Sequence, residues 1–400
     1  MADVDDSIVY DRAELLANQM VSGGLPFPYK RAYLGDPDAY FDRLRNNRYV
    51  KVTDRPYIAQ MRAGSRRSRK VRAGIAETPW GFDGKEIAFV VNDTAFEDVD
   101  TLTDFFTEEA RMTARIRNNP CPLVAWQIPA RAIDIARNAL TRARRSRLET
   151  PTTYMLREAC YDLVPECTLF KVSLAAEIYR YFLRGITNQP FKVLDPFAGW
   201  GDRALAAAGA QVNYVGVDPN PALVPGYDAI REFLGRVSPT TTTHFRSIAF
   251  EEYGPAELAE DFSTAGADLV FSSPPFHDYE IYSSDSRQSV CGERNSQLGD
   301  WLRDWFLPVT DRAWGALKPG GCLAYYITDR GGEVTSPLCK HMETHGRKFR
   351  GVIACRRGEK RPLPLWVWEK NDNDVVAVSS SESESLDSYI DTLLDGIYVE

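Results

Sequence analysis

Between residues 190 and 370 the chain alternates short β-rich runs with helical stretches, and this alternation restricts the fold more than any other feature. FKVLDP is followed by ALAAAGA, NYVGVDP by ALVPGYDAIREFL, and ADLVFSSPP by the long amphipathic stretch WLRDWFLPVTDRAWGAL; GGCLAYYITD, GVIACRR and LPLWVWEK close the series. A strand that feeds a helix must cross back before the next strand can pair, so the runs predict a doubly wound, mostly parallel α/β sheet. The last two runs lack a long helix between them and predict an antiparallel hairpin at one edge. Trp301, Trp305, Val309, Trp314 and Leu317 fall near helical spacing and predict the buried face of a helix laid on the sheet rather than base-stacking residues.

Four hundred residues, 44% of them hydrophobic, exceed what one core usually holds. The division expected is an N-terminal accessory α+β part over 1–148 that carries target recognition, a catalytic part over 149–370 and a tail over 371–400. The accessory part has helical pieces, DAYFDRLRNN and TDFFTEEARMTARIR, and one strand-like run, KEIAFVV, which leave its fold open. The tail is polar and acidic, Ser379 to Ser385 above all, with apolar residues from Tyr389 to Tyr398 at roughly helical spacing. Such a segment is read as a mobile end, or as one that docks a protein partner or folds back.

No stretch approaches the roughly 20 apolar residues needed to cross a bilayer, and the first ten residues are acidic rather than signal-like. A soluble, intracellular protein without a membrane is expected. Seven cysteines without a CxxC pair suit a reducing setting. Of four histidines, only His341 and His345 make a helical-looking pair; no cluster of metal-site spacing surrounds them, so an exposed polar face and no metal are expected. The net charge of −8 comes from the tail, and the remainder is balanced, so any contact with a polyanion must be local.

Two stretches carry chemistry. In the first, Val193 to Gly201, a strand ends at Asp195 and turns through Gly199 and Gly201 toward a helix. Glycine there lets the backbone approach a ligand at a strand end. Ala204 stands at the third glycine position of a dinucleotide fingerprint, which argues against a pyrophosphate. The next strand ends at Asp218, a carboxylate placed to accept hydrogen bonds from a ribose diol. An adenosyl cofactor without a pyrophosphate fits both acids. The second stretch is Asp268 to Phe276, a strand that runs into Ser273-Pro274-Pro275-Phe276.

DPFAGWG followed by SPPF resembles the S-adenosylmethionine-dependent amino-methyltransferase family, which acts on N4 of cytosine or N6 of adenine. The resemblance spans about residues 160 to 370 and implies a class I, Rossmann-like methyltransferase fold. It implies that Asp195, Pro196, Phe197, Gly199, Gly201 and Asp218 bind S-adenosyl-L-methionine, and that Ser273, Pro274, Pro275 and Phe276 are catalytic. Elementary chemistry agrees. An exocyclic amine is a poor nucleophile because its lone pair is delocalised into the ring, and acceptors around the NH₂ draw it toward a pyramidal nitrogen. The Ser273 hydroxyl and the Pro274 carbonyl would be those acceptors; the prolines stiffen the turn without adding N–H donors, and Phe276 would stack on a flipped base. Serine at the first position resembles the cytosine-N4 subgroup.

The stretch from His277 to Gly299 has the character of a mobile substrate loop, in which Asp278 or Glu280 is a candidate proton acceptor. Phe170 matches the family's aromatic residue on the cofactor adenine, with core packing as the alternative. Ser247, Glu251 or Glu252 could meet the adenine amino group, or lie at the surface. Two Arg-rich segments, 62–72 and 131–147, suit phosphate contacts with DNA or RNA, DNA being favoured; solvated charge runs are the alternative. Methylation of an RNA cap or a protein amide, and a catalytically silent nucleic-acid-binding protein, also fit the sequence.

Overall fold

The computed structural model describes residues 6–53, 81–82, 84–85, 87–92, 94–95, 98–184, 190–263, 265–290, 295–328, 332–357, 362–371 and 390. Its centre is a nine-stranded sheet. In chain order the strands are β1 Val50–Thr53, β2 Ala88–Val91, β3 Lys192–Asp195, β4 Asn213–Val217, β5 Thr243–Arg246, β6 Ala267–Ser272, β7 Leu317–Tyr326, β8 Lys348–Arg357 and β9 Leu363–Glu369. Across the sheet they lie in the order β1-β2-β8-β9-β7-β6-β3-β4-β5. All run the same way except β9, which is antiparallel to both β7 and β8, and β1, antiparallel to β2. This is the expected doubly wound, mostly parallel sheet, and the antiparallel hairpin of β8 and β9 forms, though not at an edge.

Each strand alternates side chains between two faces, and each face is closed by helices. On one side Val193, Tyr214, Leu269 and Phe271 pack with α5 (Val172–Phe182), α6 (Asp202–Gly209) and α7 (Val224–Val237). On the other, Leu194, Val215, Val270 and Tyr325 pack with α8 (Leu307–Gly315) and α9 (Thr335–Thr344). Half of the residues of helix α6 are alanine, which lets it lie close to α5, and Leu44 of α2 (Pro37–Asn46) seats against Gly209, where an added Cβ would stand 2.9 Å from its methyl carbon. Trp301, Trp305, Val309 and Trp314 lie on the helical stretch and are buried as expected, whereas Leu317, also buried, already opens β7. The first turns of that stretch, Trp301–Phe306, are π-helical, a widened form that often marks a functional site.

Two segments of the N-terminal part, Val50–Thr53 and Ala88–Val91, join this sheet. Strand β2 pairs in parallel with β8, β1 pairs with β2, and Phe41, Leu44, Phe89 and Val91 belong to the same core as Val193 and Leu205. The β8–β9 hairpin therefore sits inside the sheet, extended by two strands from the other end of the chain. A separate helical cluster forms from α1 (Asp6–Val21), α3 (Pro129–Arg145) and α4 (Thr153–Leu163), around Ala17, Trp126, Ile135 and Cys160.

A buried ionic network joins this cluster to the segment before α5. Arg157 donates from Nε to Glu108 (3.0 Å) and from both terminal nitrogens to Glu166 (2.5 and 2.8 Å). Arg111 pairs with Glu166 at 2.9 Å and with Asp104, which also holds Lys30 at 3.0 Å. Three cations meet three carboxylates here with almost no solvent.

Of the tail, only Asn371 and Ile390 are described, and Ile390 is fully buried in the core on the α8 face. At that residue the chain packs against itself rather than standing free. No helix of the described residues is long and apolar enough to cross a membrane. Cys121, Cys160, Cys167 and Cys355 are buried free thiols.

Candidate active site

The C-terminal ends of the parallel strands open into one cleft of about 1300 Å³, room for a nucleoside-sized ligand and a second planar group. The turn after β3 forms one wall. Gly199 and Gly201 both take the left-handed backbone, at φ 55° and 88°. Gly199 lines the cleft, whereas Gly201 does not: a Cβ there would lie 2.5 Å from the Ile230 methyl of α7, so this glycine serves helix packing. Pro196 and Phe197 line the cleft.

Asp195 departs from expectation. It is wholly buried, is not part of the cleft wall, and has its oxygens saturated by the protein. Arg203 Nε donates to it at 2.7 Å, Tyr214 Oη at 2.6 Å, Ser272 Oγ at 2.5 Å and the Phe197 amide at 3.3 Å. Asp195 is thus the hub that fixes the turn, set back from the cleft wall. Burial disfavours the Arg203 charge, but the adjoining Asp195 carboxylate outweighs it and holds the guanidinium's pKa above its ordinary value. Arg203 in turn reaches the cleft and lies over the Phe170 ring, 5.4 Å from its centroid.

Asp218, at the end of β4, does line the cleft. Its two oxygens accept from the amides of Gly199 and Asn220, each at 3.0 Å, which aims the carboxylate and ties the two strand-end turns together. Burial pushes its pKa up to about 6, against the opposing pull of those amides. A carboxylate has about four acceptor sites, so two remain for ligand hydroxyls. Phe170, edge-on to Tyr326 at 5.0 Å and to Phe271 at 5.6 Å, is both a core residue and a cleft residue. Of the three positions expected near an adenine amine, only Glu251 reaches the cleft, oriented by the Trp305 indole N–H at 2.8 Å. Ser247 and Glu252 are not on its wall.

The opposite wall is the turn after β6. Ser273, Pro274, Pro275 and Phe276 all line the same cleft as Gly199 and Asp218. Ser273 Oγ donates to the Tyr326 carbonyl at 3.1 Å. With its hydrogen committed, the hydroxyl can only accept from a further partner. The loop that follows is anchored rather than mobile over its described residues. Glu280–Ile281 pairs antiparallel with Arg115–Ile116, and the Arg117 amide donates to the Tyr279 carbonyl at 3.0 Å. Glu280 is buried, accepting from Tyr282 Oη (2.8 Å) and the Thr168 amide (3.2 Å), and burial raises its pKa. Asp278 is exposed beside His277. Both line the cleft.

Trp305, Arg203 and Asn220 are cleft residues that the sequence pattern does not expose. Trp305 follows the apolar periodicity of a core helix, while Asn220-Pro221 after a strand-end acid is the one local signal of a ligand turn. The histidine pair also departs from expectation. His341 is buried, its Nε2 is 2.7 Å from Asp311, and Arg347 contacts the same carboxylate oxygen at 2.6 Å. Ligand atoms of Asp311, His341 and His345 lie within 4.8 Å of one another, but the arginine already balances the carboxylate. In segment 131–147, α3 buries Ala132, Ile135, Ala136 and Ala139 and leaves Arg131, Arg144 and Arg145 exposed, while Arg142 pairs with Asp162. Segment 62–72 lies outside the described residues.

No family model and no curated protein matches the chain. Among solved structures it is similar to an rRNA methylase from Streptococcus thermophilus (12% identity, 52% of this chain and 100% of that one, TM-score 0.33). It is also similar to TrmN from Thermus thermophilus (21%, 50% and 49%, 0.30) and to magnesium protoporphyrin IX methyltransferase from Synechocystis PCC 6803 (10%, 52% and 87%, 0.34).

Proposed function

We propose that the protein is an S-adenosylmethionine-dependent methyltransferase that modifies an exocyclic amine of a nucleobase in nucleic acid, cytosine N4 or adenine N6, with DNA favoured over RNA. One observation carries the reading: the glycine turn after β3 and the Ser-Pro-Pro-Phe turn after β6, on adjacent strands, face a common cleft.

The residues present fit the cofactor. Asp218 supplies oriented acceptors for vicinal hydroxyls, Gly199 leaves the backbone open, and Phe170, Phe250 and Trp305 give apolar surface for an adenine and its ribose. When bound, the cofactor supplies an electrophilic methyl group on a sulfonium. Every other contribution comes from the chain. Ser273 Oγ and the Pro274 carbonyl accept hydrogen bonds from the NH₂ and turn its lone pair out of conjugation, while Phe276 stacks on the base. Catalysis then rests on orientation and on acceptors already fixed in place. After transfer the nitrogen releases a proton, for which Asp278 is solvent-facing and Glu280 is the buried alternative.

The test is incubation of the full chain with methyl-labelled cofactor and a panel of single- and double-stranded DNA, RNA, capped RNA and protein, followed by mass spectrometry of the product. Ser273→Ala and Phe276→Ala are expected to lose about 10²-fold or more in kcat while calorimetry shows unchanged cofactor affinity. Cofactor binding without turnover on any member of the panel defeats the proposal.

A further inference from the structure

The cleft continues past the Ser-Pro-Pro-Phe turn, on the side away from the cofactor turn. Its wall runs through Ile327 and Thr328 after β7, Leu363 at the start of β9, Arg356 and Arg357 at the end of β8, and Val91 at the end of β2. The reversed direction of β9 brings these ends to one edge: Tyr326 pairs with Leu365, Cys355 with Leu363, and Arg357 with Val91. Neighbouring strands stand about 4.8 Å apart, so the three steps from β6 to β8 carry the cleft roughly 14 Å beyond the catalytic strand. A lone base held between the two turns needs none of this length.

The chemistry of the arm is cationic. Arg356 and Arg357 both line it, half-buried; Lys171, elsewhere on the cleft wall, already has its charge met by Asp100 at 3.1 Å. Glu333 is the acid on the same stretch among the described residues. A guanidinium matches a phosphate in shape and charge, and two of them at the far end of a groove suit the backbone of a strand whose target base lies at the near end.

We propose that this arm binds the single-stranded stretch flanking the target base, with Arg356 and Arg357 on its phosphodiesters. The proposal rests on the reading of the site as a nucleobase methyltransferase. It makes the substrate an oligonucleotide strand, several nucleotides of which are held outside a duplex, and not a free nucleoside.

Two measurements test it. With the parent protein, kcat/KM is compared for a nucleoside, a mononucleotide and single strands of increasing length carrying the same base. A rise of about 100-fold or more that levels off after a few flanking nucleotides is expected. The Arg356→Gln/Arg357→Gln variant is then titrated with a labelled single strand over a range of salt. The loss is expected in KM rather than kcat, and the slope of log affinity against log salt should shrink by about 1.4, or ~0.7 for each lost single-strand phosphate contact. Unchanged cofactor affinity by calorimetry shows that the variant is folded; if it does not fold, the length series decides alone. A nucleoside turned over as efficiently as a strand, or a folded variant with the parent's KM and salt slope, overturns the arm while leaving the methyltransferase reading intact. Absence of turnover on every nucleic acid removes that reading, and the arm falls with it.

Discussion

Asp195 and Asp218 occupy the same sequence position, the last acid of a buried strand, yet they do different work. Asp195 is consumed by Arg203, Tyr214 and Ser272, which come from three separate elements and leave no local trace in the sequence. Asp218 is held by the two amides nearest its ends and keeps acceptor capacity toward the cleft. Asp195→Asn should therefore act on stability: it leaves the buried Arg203 uncompensated, at a cost of about 3–5 kcal/mol by chemical denaturation. A variant as stable as the parent that has lost cofactor binding would show that Asp195 is a ligand after all. Asp218 should show itself through pH. Its pKa of about 6 in the folded protein lies above that of a free carboxylate, so it gives up its charge as pH falls through that value. Ribose hydroxyls need the ionised acceptor, so cofactor Kd should be flat above about pH 7 and rise roughly tenfold per unit below 6. Affinity independent of pH between 5 and 8 contradicts this role.

At the scale of elements, the periodic parts were legible and the fastened parts were not. The strand runs, α6, α7 and the tryptophan helix all follow from hydrophobic spacing, because spacing is what burial on a sheet imposes. The loop after Phe276 reads as mobile because it is polar and lacks a pattern, but its anchors, Arg115–Ile116 and Thr168, lie more than a hundred residues earlier. The segment from Val164 to Lys171 is fastened in the same non-local way. Glu166 ties it to Arg111 and Arg157, and four residues on it presents Phe170 to the cleft. Glu166→Gln should cost about 3–5 kcal/mol of stability, because two desolvated guanidinium groups lose their shared partner. The same change should weaken cofactor binding through Phe170, with the Ser-Pro-Pro-Phe turn unaltered. Thermal melts and calorimetry on one preparation read both; stability equal to the parent contradicts the network's role.

For the whole molecule, the sequence identifies the sheet but not who completes it. KEIAFVV is legible as a strand, whereas its partner is not, since pairing between distant segments depends on register and topology rather than composition. Removing residues 1–148 is therefore expected to strip β1 and β2 from the sheet and expose the β8 edge together with the core face that Phe41, Leu44 and Phe89 cover. Such a truncation should be recovered as aggregate, or as a species with broad, weakly dispersed amide resonances. A soluble, cooperatively melting fragment that binds cofactor would argue instead that the N-terminal part is an independent module. Segment 62–72 and most of the tail lie outside the described residues, so their roles belong to the nucleic-acid titrations.

The pairing of Ala88–Val91 with Ala354–Arg357 also governs how the chain comes into being. During synthesis the early strand leaves the ribosome long before its neighbour exists, and more than half the polypeptide must follow first. Until then a short apolar ribbon has no mate and is open to the wrong one. Closure of this sheet is accordingly a late step of high contact order, and on refolding from denaturant a lag before protease resistance should be measurable, longer than for a protein whose sheet is built from neighbouring segments alone.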